Sequence, residues 1–187
     1  RAYRIPILEM PGFEADDVIG TLATQAGTHT DIETFMMTPD KDYGQLVNDR
    51  VKIYRPKFGD KEFEIMGTKE VTEKFGISTT AQVIDMLGLM GDTSDNIPGC
   101  PGVGEKTASK LINEYGSIEN LLERTDELKG ALRTKVETNR EMIQFSKFLA
   151  TIKTDVPIQL DMESLKTKEP DMESLQRLFE ELEFRTL

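Results

Sequence analysis

Two hydrophobic periods divide this chain. Near the start, short apolar runs predict strands. Ile5-Pro6-Ile7-Leu8-Glu9-Met10 predicts a buried strand, with Pro6 restricting it to a strand start or an edge. Glu33 to Thr38, Val51 to Tyr54 and Phe63 to Met66 predict three more, and the Gly59-Asp60 turn predicts a hairpin joining the last two. Between the first two runs, Val18, Ile19, Leu22, Ala23 and Ala26 fall at helical spacing from about Ala15, and Gly27 is a stop. Strand, helix, strand in this order predicts a βαβ unit and a partial parallel-type sheet.

After about residue 66 the period becomes helical. Thr68 reads as the cap of a helix carrying Val71 and Phe75 and ending at Gly76. Val83, Ile84, Leu87 and Met90 form a second stripe. A Gly- and Pro-rich hinge, Gly91 to Gly104, leads to Ala108, Leu111, Ile112 and Tyr115 at i, i+3, i+4, i+7, closed by Gly116. Ser117 caps a short helix, residues 131–150 predict one longer helix, and Val156-Pro157-Ile158 predicts an extended piece. Asp171 or Ser174 opens a last helix through Leu175, Leu178, Phe179 and Leu182. The pentapeptide Asp-Met-Glu-Ser-Leu occurs at 161–165 and again at 171–175, too short for a structural repeat. The reading is an α/β part, residues 1–90, and a mainly helical part, residues 91–187. Met36, Met37, Met86 and Met90 fall at core positions.

Composition narrows the chemistry. One cysteine, Cys100, excludes an internal disulfide framework and fits a reducing compartment; it reads as a small packed side chain. One histidine, His29, excludes a multi-histidine metal site within one chain and reads as solvated in a polar turn. No apolar stretch reaches membrane-span length and no signal peptide is visible. Any metal must therefore be held by oxygen ligands.

The carboxylates cluster in three places: Glu14-Ala15-Asp16-Asp17 before the first helix, Asp40-Lys41-Asp42 after the second predicted strand, and Asp92-Thr93-Ser94-Asp95 in the hinge. Each has an ordinary explanation as a helix-dipole partner, a polar turn or a cap. Together they change the picture. Ligands gather outside the carboxyl ends of parallel strands, and the first two clusters follow predicted strands. So many carboxylates at one edge repel unless a cation neutralises them. Oxygen-only clusters suit Mg²⁺ or Mn²⁺, and two such ions about 4 Å apart clamp the attacking and leaving oxygens of a phosphodiester.

The net charge of −11 argues against nucleic acid, but its distribution softens the argument. Residues 1–105 hold 10 basic and 18 acidic side chains, residues 106–154 hold 9 and 7, and residues 155–187 hold 4 and 9. The middle segment, the one part not acidic, adjoins the most specific stretch, Gly99-Cys100-Pro101-Gly102-Val103-Gly104-Glu105-Lys106-Thr107-Ala108. Gly102 and Gly104 permit close backbone approach, with Val103 as an apolar knuckle between them. The following helix offers N–H groups to an anion, and Lys106 and Lys110 add charge one turn apart. That arrangement grips a phosphodiester backbone without reading bases. Neither a Walker loop nor a dinucleotide fingerprint is present. A plain helix–turn–helix with a glycine hinge is the ordinary alternative.

Four motifs in order, Phe13-Glu14-Ala15-Asp16-Asp17, Thr38-Pro39-Asp40-Lys41-Asp42, Gly91 through Gly99 and Gly102 through Ala108, resemble the 5′-nuclease (flap endonuclease-like) domains of bacterial DNA polymerases I, and the likeness extends to Leu182-Glu183-Phe184 in the last helix. The resemblance implies a PIN/resolvase-like α/β fold with a helix-hairpin-helix element. It implies a metal-dependent, structure-specific nuclease that removes 5′ flaps and RNA primers in replication and repair, as a monomer in the bacterial cytoplasm at the nucleoid, attached to polymerase (transferase) domains in one polypeptide. Glu14, Asp16, Asp40 and Asp42 then resemble catalytic metal ligands, Asp92 and Asp95 ligands nearer a second ion, and Asp17 a further ligand. Gly102, Val103, Gly104, Lys106, Thr107 and Lys110 resemble the element that holds branched duplex DNA, with K⁺ as a further cofactor there. The family's early Asp-Gly metal motif, a second early Asp and the basic helical arch are not in this sequence, so the chain resembles the C-terminal portion of such a domain. A DNA-binding module without cleavage, a structural remnant, and a small-molecule α/β enzyme are the competing readings; no nucleophile or cofactor loop supports the last.

Overall fold

The computed structural model describes residues 1–56 and 63–184. Three strands form one sheet in the order β1 (Thr34–Met37), β2 (Val51–Pro56), β3 (Phe63–Met66). β1 and β2 are parallel, with Thr34 opposite Val51, and β2 and β3 are antiparallel, with Ile53 opposite Met66. The predicted Gly59-Asp60 turn lies outside the described residues.

Residues 5–10 form no strand. No strand lies beside them among the described residues, Pro6 supplies no ladder donor, and an extended segment without a partner gains nothing from pairing. Their apolar side chains stand out in solvent, with Ile5 and Ile7 both more than 60% exposed (69% and 65%). The parallel pair is therefore β1–β2. Its connection is a loop holding Asp40 and Asp42 and a 3₁₀ turn, Asp42–Leu46, rather than a crossover helix. Met36 is buried, but Met37 points to the opposite side and is 74% exposed, as period-two alternation requires.

The helices are α1 (Ala15–Gly27), α2 (Thr68–Phe75), α3 (Val83–Met90), α4 (Glu105–Tyr115), α5 (Ile118–Glu123), α6 (Gly130–Thr138), α7 (Arg140–Ala150) and α8 (Met172–Glu181). α2 ends at Gly76 in the left-handed region, φ 61°. Ser117 caps α5 by accepting from Asn120 N. The predicted long helix over 131–150 is two helices. Asn139 closes α6 by giving both its backbone N–H and its side-chain amide to the Lys135 carbonyl (3.1 and 2.8 Å), and its own carbonyl starts α7 by accepting from Ile143 N. Asp171 caps α8, and residues 182–184 lie just past its end.

One continuous core runs from the sheet into the helical half. Its centre is α3, whose Val83, Met86, Leu87 and Leu89 are fully buried, packed between α4 and α7. Burying side chains of this size contributes about 2 kcal/mol each. After α7 the chain returns along α1. Gly20 makes room, since a Cβ there would lie 2.6 Å from Ile152 Cγ2. Asp17, Thr21 and Gln25, one turn apart on α1, each bond the backbone of this returning segment. Asp17 accepts from Lys153 N (2.9 Å), Thr21 Oγ1 accepts from Val156 N (3.1 Å), and Gln25 accepts from Leu160 N (2.7 Å).

Candidate metal centre and phosphate hairpin

The β1–β2 connection and the hinge after α3 bring two of the three predicted clusters together. Asp42, Asp92 and Asp95 each place a carboxylate oxygen within 4.8 Å of the others. Asp42 and Asp92 are buried and Asp95 is exposed. Local turns aim them. Asp40 Oδ1 accepts from Asp42 N (2.9 Å), and Asp92 Oδ1 accepts from Ser94 N (2.8 Å). A two-bond bridge between Asp92 and Ile97 closes the hinge loop. It turns through Asn96, whose φ is +58°, and Gly91 and Gly99 pack back to back across it; a Cβ on Gly99 would lie 2.3 Å from Gly91 N.

The electrostatics follow from this crowding. Burial and the neighbouring charges of Asp40 and Asp92 push the Asp42 carboxyl up to about 7. Burial and the charges of Asp92 and Asp40 also raise Asp95. Burial acts on Asp92 in the same direction, but the Lys41 ammonium, 2.5 Å from its Oδ2, and the Ser94 N–H outweigh it and hold Asp92 below the usual range. Asp42 Oδ1 is buried without a hydrogen-bond partner among the described residues. A buried carboxylate oxygen left without a donor is costly. An orphaned oxygen, like-charge crowding and an all-oxygen donor set together fit a hard divalent cation held by Asp42, Asp92 and Asp95.

The first cluster lies across a shared cleft. Glu14, Asp16 and Asp17 line a space of about 420 Å³ with Asp42 and Asp95. Asp16 Oδ1 accepts from the Tyr43 hydroxyl (2.7 Å), and burial and that bond raise the tyrosine's pKa. Glu14 stands at the start of α1 with its side chain uncommitted to the helix end. Asp17 also accepts from Lys153 N through its Oδ1. Asp40 faces a neighbouring cleft with Lys41, Arg55, Lys74, Asp92 and Asp95. Tyr43 and Lys41 are the partners that sequence reasoning missed; adjacency to Asp42 was their one sequence signal.

The hairpin after the hinge joins α3 to α4. Gly102 takes φ +75°, whereas Gly104 is extended, with open space where a Cβ would stand. Val103 is buried, so its side chain anchors the hairpin to the core and only backbone is presented there. The N–H groups of Glu105 and Lys106 have no acceptor among the described residues. Lys106 and Lys110 are exposed and Thr107 is half-buried. Ser146, fully buried on α7, accepts from Gly99 N at 3.0 Å and fixes the hairpin from beneath. Lys135 Nζ approaches the Gly102 carbonyl at 3.4 Å and brings a resident cation to it. Cys100 is buried as expected, which pushes its thiol up, and His29 is exposed.

Fold and site together define a small mixed sheet with a carboxylate cluster, continued into a helix-hairpin-helix region. The model of the 5′-3′ exonuclease N-terminal resolvase-like domain matches residues 1–76, and that of the 5′-3′ exonuclease C-terminal SAM fold matches residues 78–173. The chain belongs to the 5′-3′ exonuclease family. It is 43% identical over 187 residues to DNA polymerase I of Bacillus caldotenax, covering 100% of this chain and 21% of that protein. It thus spans about a fifth of the length of the curated relatives it matches. Among solved structures it is similar to T5 5′-exonuclease with divalent metal ions (zinc) bound, with a TM-score of 0.70, 23% identity, and coverage of 80% of this chain and 54% of that one. It is also similar to the catalytic core of Rad2 in complex with DNA substrate, with a TM-score of 0.60, 18% identity, and coverage of 96% and 60%. At these identities the likeness concerns the fold. None of the described helices is long and apolar enough to cross a membrane.

Proposed function

We propose that this chain is part of a divalent-metal-dependent 5′-3′ exonuclease and flap endonuclease that hydrolyses phosphodiesters of branched DNA. The observation that carries the reading is the buried, unpartnered Oδ1 of Asp42, a residue whose carboxylate gathers with those of Asp92 and Asp95. Asp42, Asp92 and Asp95 would hold Mg²⁺ or Mn²⁺, with Asp16, Glu14 and Asp40 at the margins of the same clefts. A bound divalent ion supplies neutralisation of the charge that builds on phosphate oxygens during displacement. The chain's own residues do the rest. Lys41 restrains Asp92, Tyr43 orients Asp16, and the Asp40 carboxylate fixes the loop through Asp42 N.

The hairpin of Gly102, Val103 and Gly104, with Thr107, Lys106 and Lys110, would hold the duplex by its phosphates through backbone N–H groups and two ammonium groups. K⁺ would be a further cofactor at this hairpin, where Lys135 Nζ already stands 3.4 Å from the Gly102 carbonyl and would compete with it for that oxygen. The T5 structure carries divalent ions and the Rad2 structure carries DNA, in keeping with this reading. We place the chain as a monomer, in one polypeptide with polymerase domains, acting at the bacterial nucleoid in replication and repair.

The test is cleavage of an end-labelled 5′-flap duplex in Mn²⁺, against Asp42→Asn. Cleavage abolished by the substitution supports the reading. Salt-dependent flap binding without cleavage by the unsubstituted chain, with a slope that Lys106→Ala reduces by about one, makes it a duplex-gripping module instead.

A further inference from the structure

We propose that Arg55 and Lys74 form a phosphate clamp beside the carboxylate cluster, holding a backbone phosphate of the DNA next to the one placed at the cluster. The inference rests on the nuclease reading above and adds a contact to it.

A cleft of about 400 Å³ adjoins the metal-site cleft, sharing Asp95 and Ser94 with it. Three separate elements supply its cations: Lys41 from the loop after β1, Arg55 from β2 and Lys74 from α2. Its other wall is Asp40, Asp92 and Asp95, so cations and candidate ligands face one space. Lys41 is committed to Asp92. Arg55 and Lys74 have no carboxylate within ion-pair distance among the described residues. Both are near enough to feel each other: burial and the Arg55 charge lower the Lys74 ammonium's pKa, with Glu64, the cross-strand neighbour of Arg55, acting the other way.

The ordinary account of such cations is that they offset nearby carboxylates. Lys41 does so in direct contact; Arg55 and Lys74 do not make that contact. Neither cation is neutralised in direct contact by the carboxylates of the opposite wall, so both are free to take up an anion that enters the open cleft. The guanidinium fork suits a phosphate's paired oxygens, and the ammonium adds a point charge. A metal-held phosphate belongs to a chain whose next phosphate lies nearby, so a strand crossing the cluster brings an anion to this cleft.

The experiment measures binding of a fluorescent 5′-flap duplex by anisotropy across a salt series, with Ca²⁺ as the divalent ion. The arms are the unsubstituted chain, Arg55→Gln/Lys74→Gln, and Lys52→Gln/Lys69→Gln. The last pair removes the same charge from residues outside the cleft, where Lys52 pairs with Glu33 and Lys69 with Glu73. The clamp predicts about tenfold weaker binding for the cleft variant at ~0.1 M salt, a log–log salt slope shallower by about one, and no such change in the control. Circular-dichroism melting checks the fold. Lys74→Gln alone alters an exposed helix position, and a loss of about threefold there carries the test if the double variant melts early. Equal losses in the cleft and control variants overturn the clamp, as does an unchanged cleft variant while the unsubstituted chain binds. Absence of salt-dependent binding by the unsubstituted chain overturns the DNA-binding reading, and the clamp with it.

Discussion

The Asp17 carboxylate accepts a 2.9 Å hydrogen bond from the backbone N–H of Lys153, 136 residues further along the chain. Two turns of α1 continue the pattern through Thr21 and Gln25, so a polar ladder on one helix face secures the segment that returns from α7. Asp17 sits one residue from Asp16, and only the tertiary structure separates their tasks.

That separation is measurable. Asp17→Ala should lower stability by about 1–2 kcal/mol, since it leaves the Lys153 N–H without its charged acceptor. It should leave Mn²⁺ affinity within about twofold, whereas Asp42→Ala removes an oxygen from the centre of the cluster and should weaken Mn²⁺ by at least tenfold. Thermal melts and calorimetric titration of the two variants check this.

Asp42 gives the metal-free chain a pH dependence of defined sign. Its folded pKa of about 7 lies above the ordinary carboxylate value. The folded state therefore binds this proton more tightly than the unfolded state does. The resulting stability is complete below about pH 4 and is lost as pH rises through 7. Asp42→Asn should accordingly raise Tm of the metal-free chain, least near pH 4 and fully above pH 7. Mn²⁺ should raise Tm of the unsubstituted chain more at pH 8 than at pH 6, because protons compete for the same oxygen. Melting curves across pH, with and without Mn²⁺, report both.

Ser146 links α7 to the hairpin through Gly99 N. Ser146→Ala leaves a buried N–H without an acceptor, at a cost of about 1–3 kcal/mol. The hairpin it supports should grip duplex less well, with an affinity loss of about threefold to tenfold that does not alter the salt slope, because no charge is removed. Anisotropy against Lys106→Ala, which does alter the slope, distinguishes support from contact.

Much of the fold was legible because its signals are local. α2 with its Gly76 stop, α3, α4, the Ser117 cap and the Asp171 cap all lie where apolar spacing and capping chemistry place them. The carboxylate motifs fall in the loops and hinge that the fold brings to one cleft. The misreadings share one cause: the strand read at residues 5–10 needed a neighbour, Met37 needed the sheet's facing, and the break at Asn139 needed a second packing direction.

The repeated pentapeptide shows the division within one chain. Asp161 and Asp171 each accept from the N–H of the serine three residues on, at 3.3 and 3.1 Å. The sequence by itself therefore determined two helix starts. Only the second becomes a helix, α8, because Leu175 is buried there and the apolar stripe continues, whereas Leu165 is half-buried and a polar run to Pro170 follows. Capping chemistry acts over four residues and is written in them. Whether a helix continues, and whether a carboxylate meets other carboxylates or a backbone N–H, depends on surfaces brought together from far apart, and that the tertiary structure alone decided.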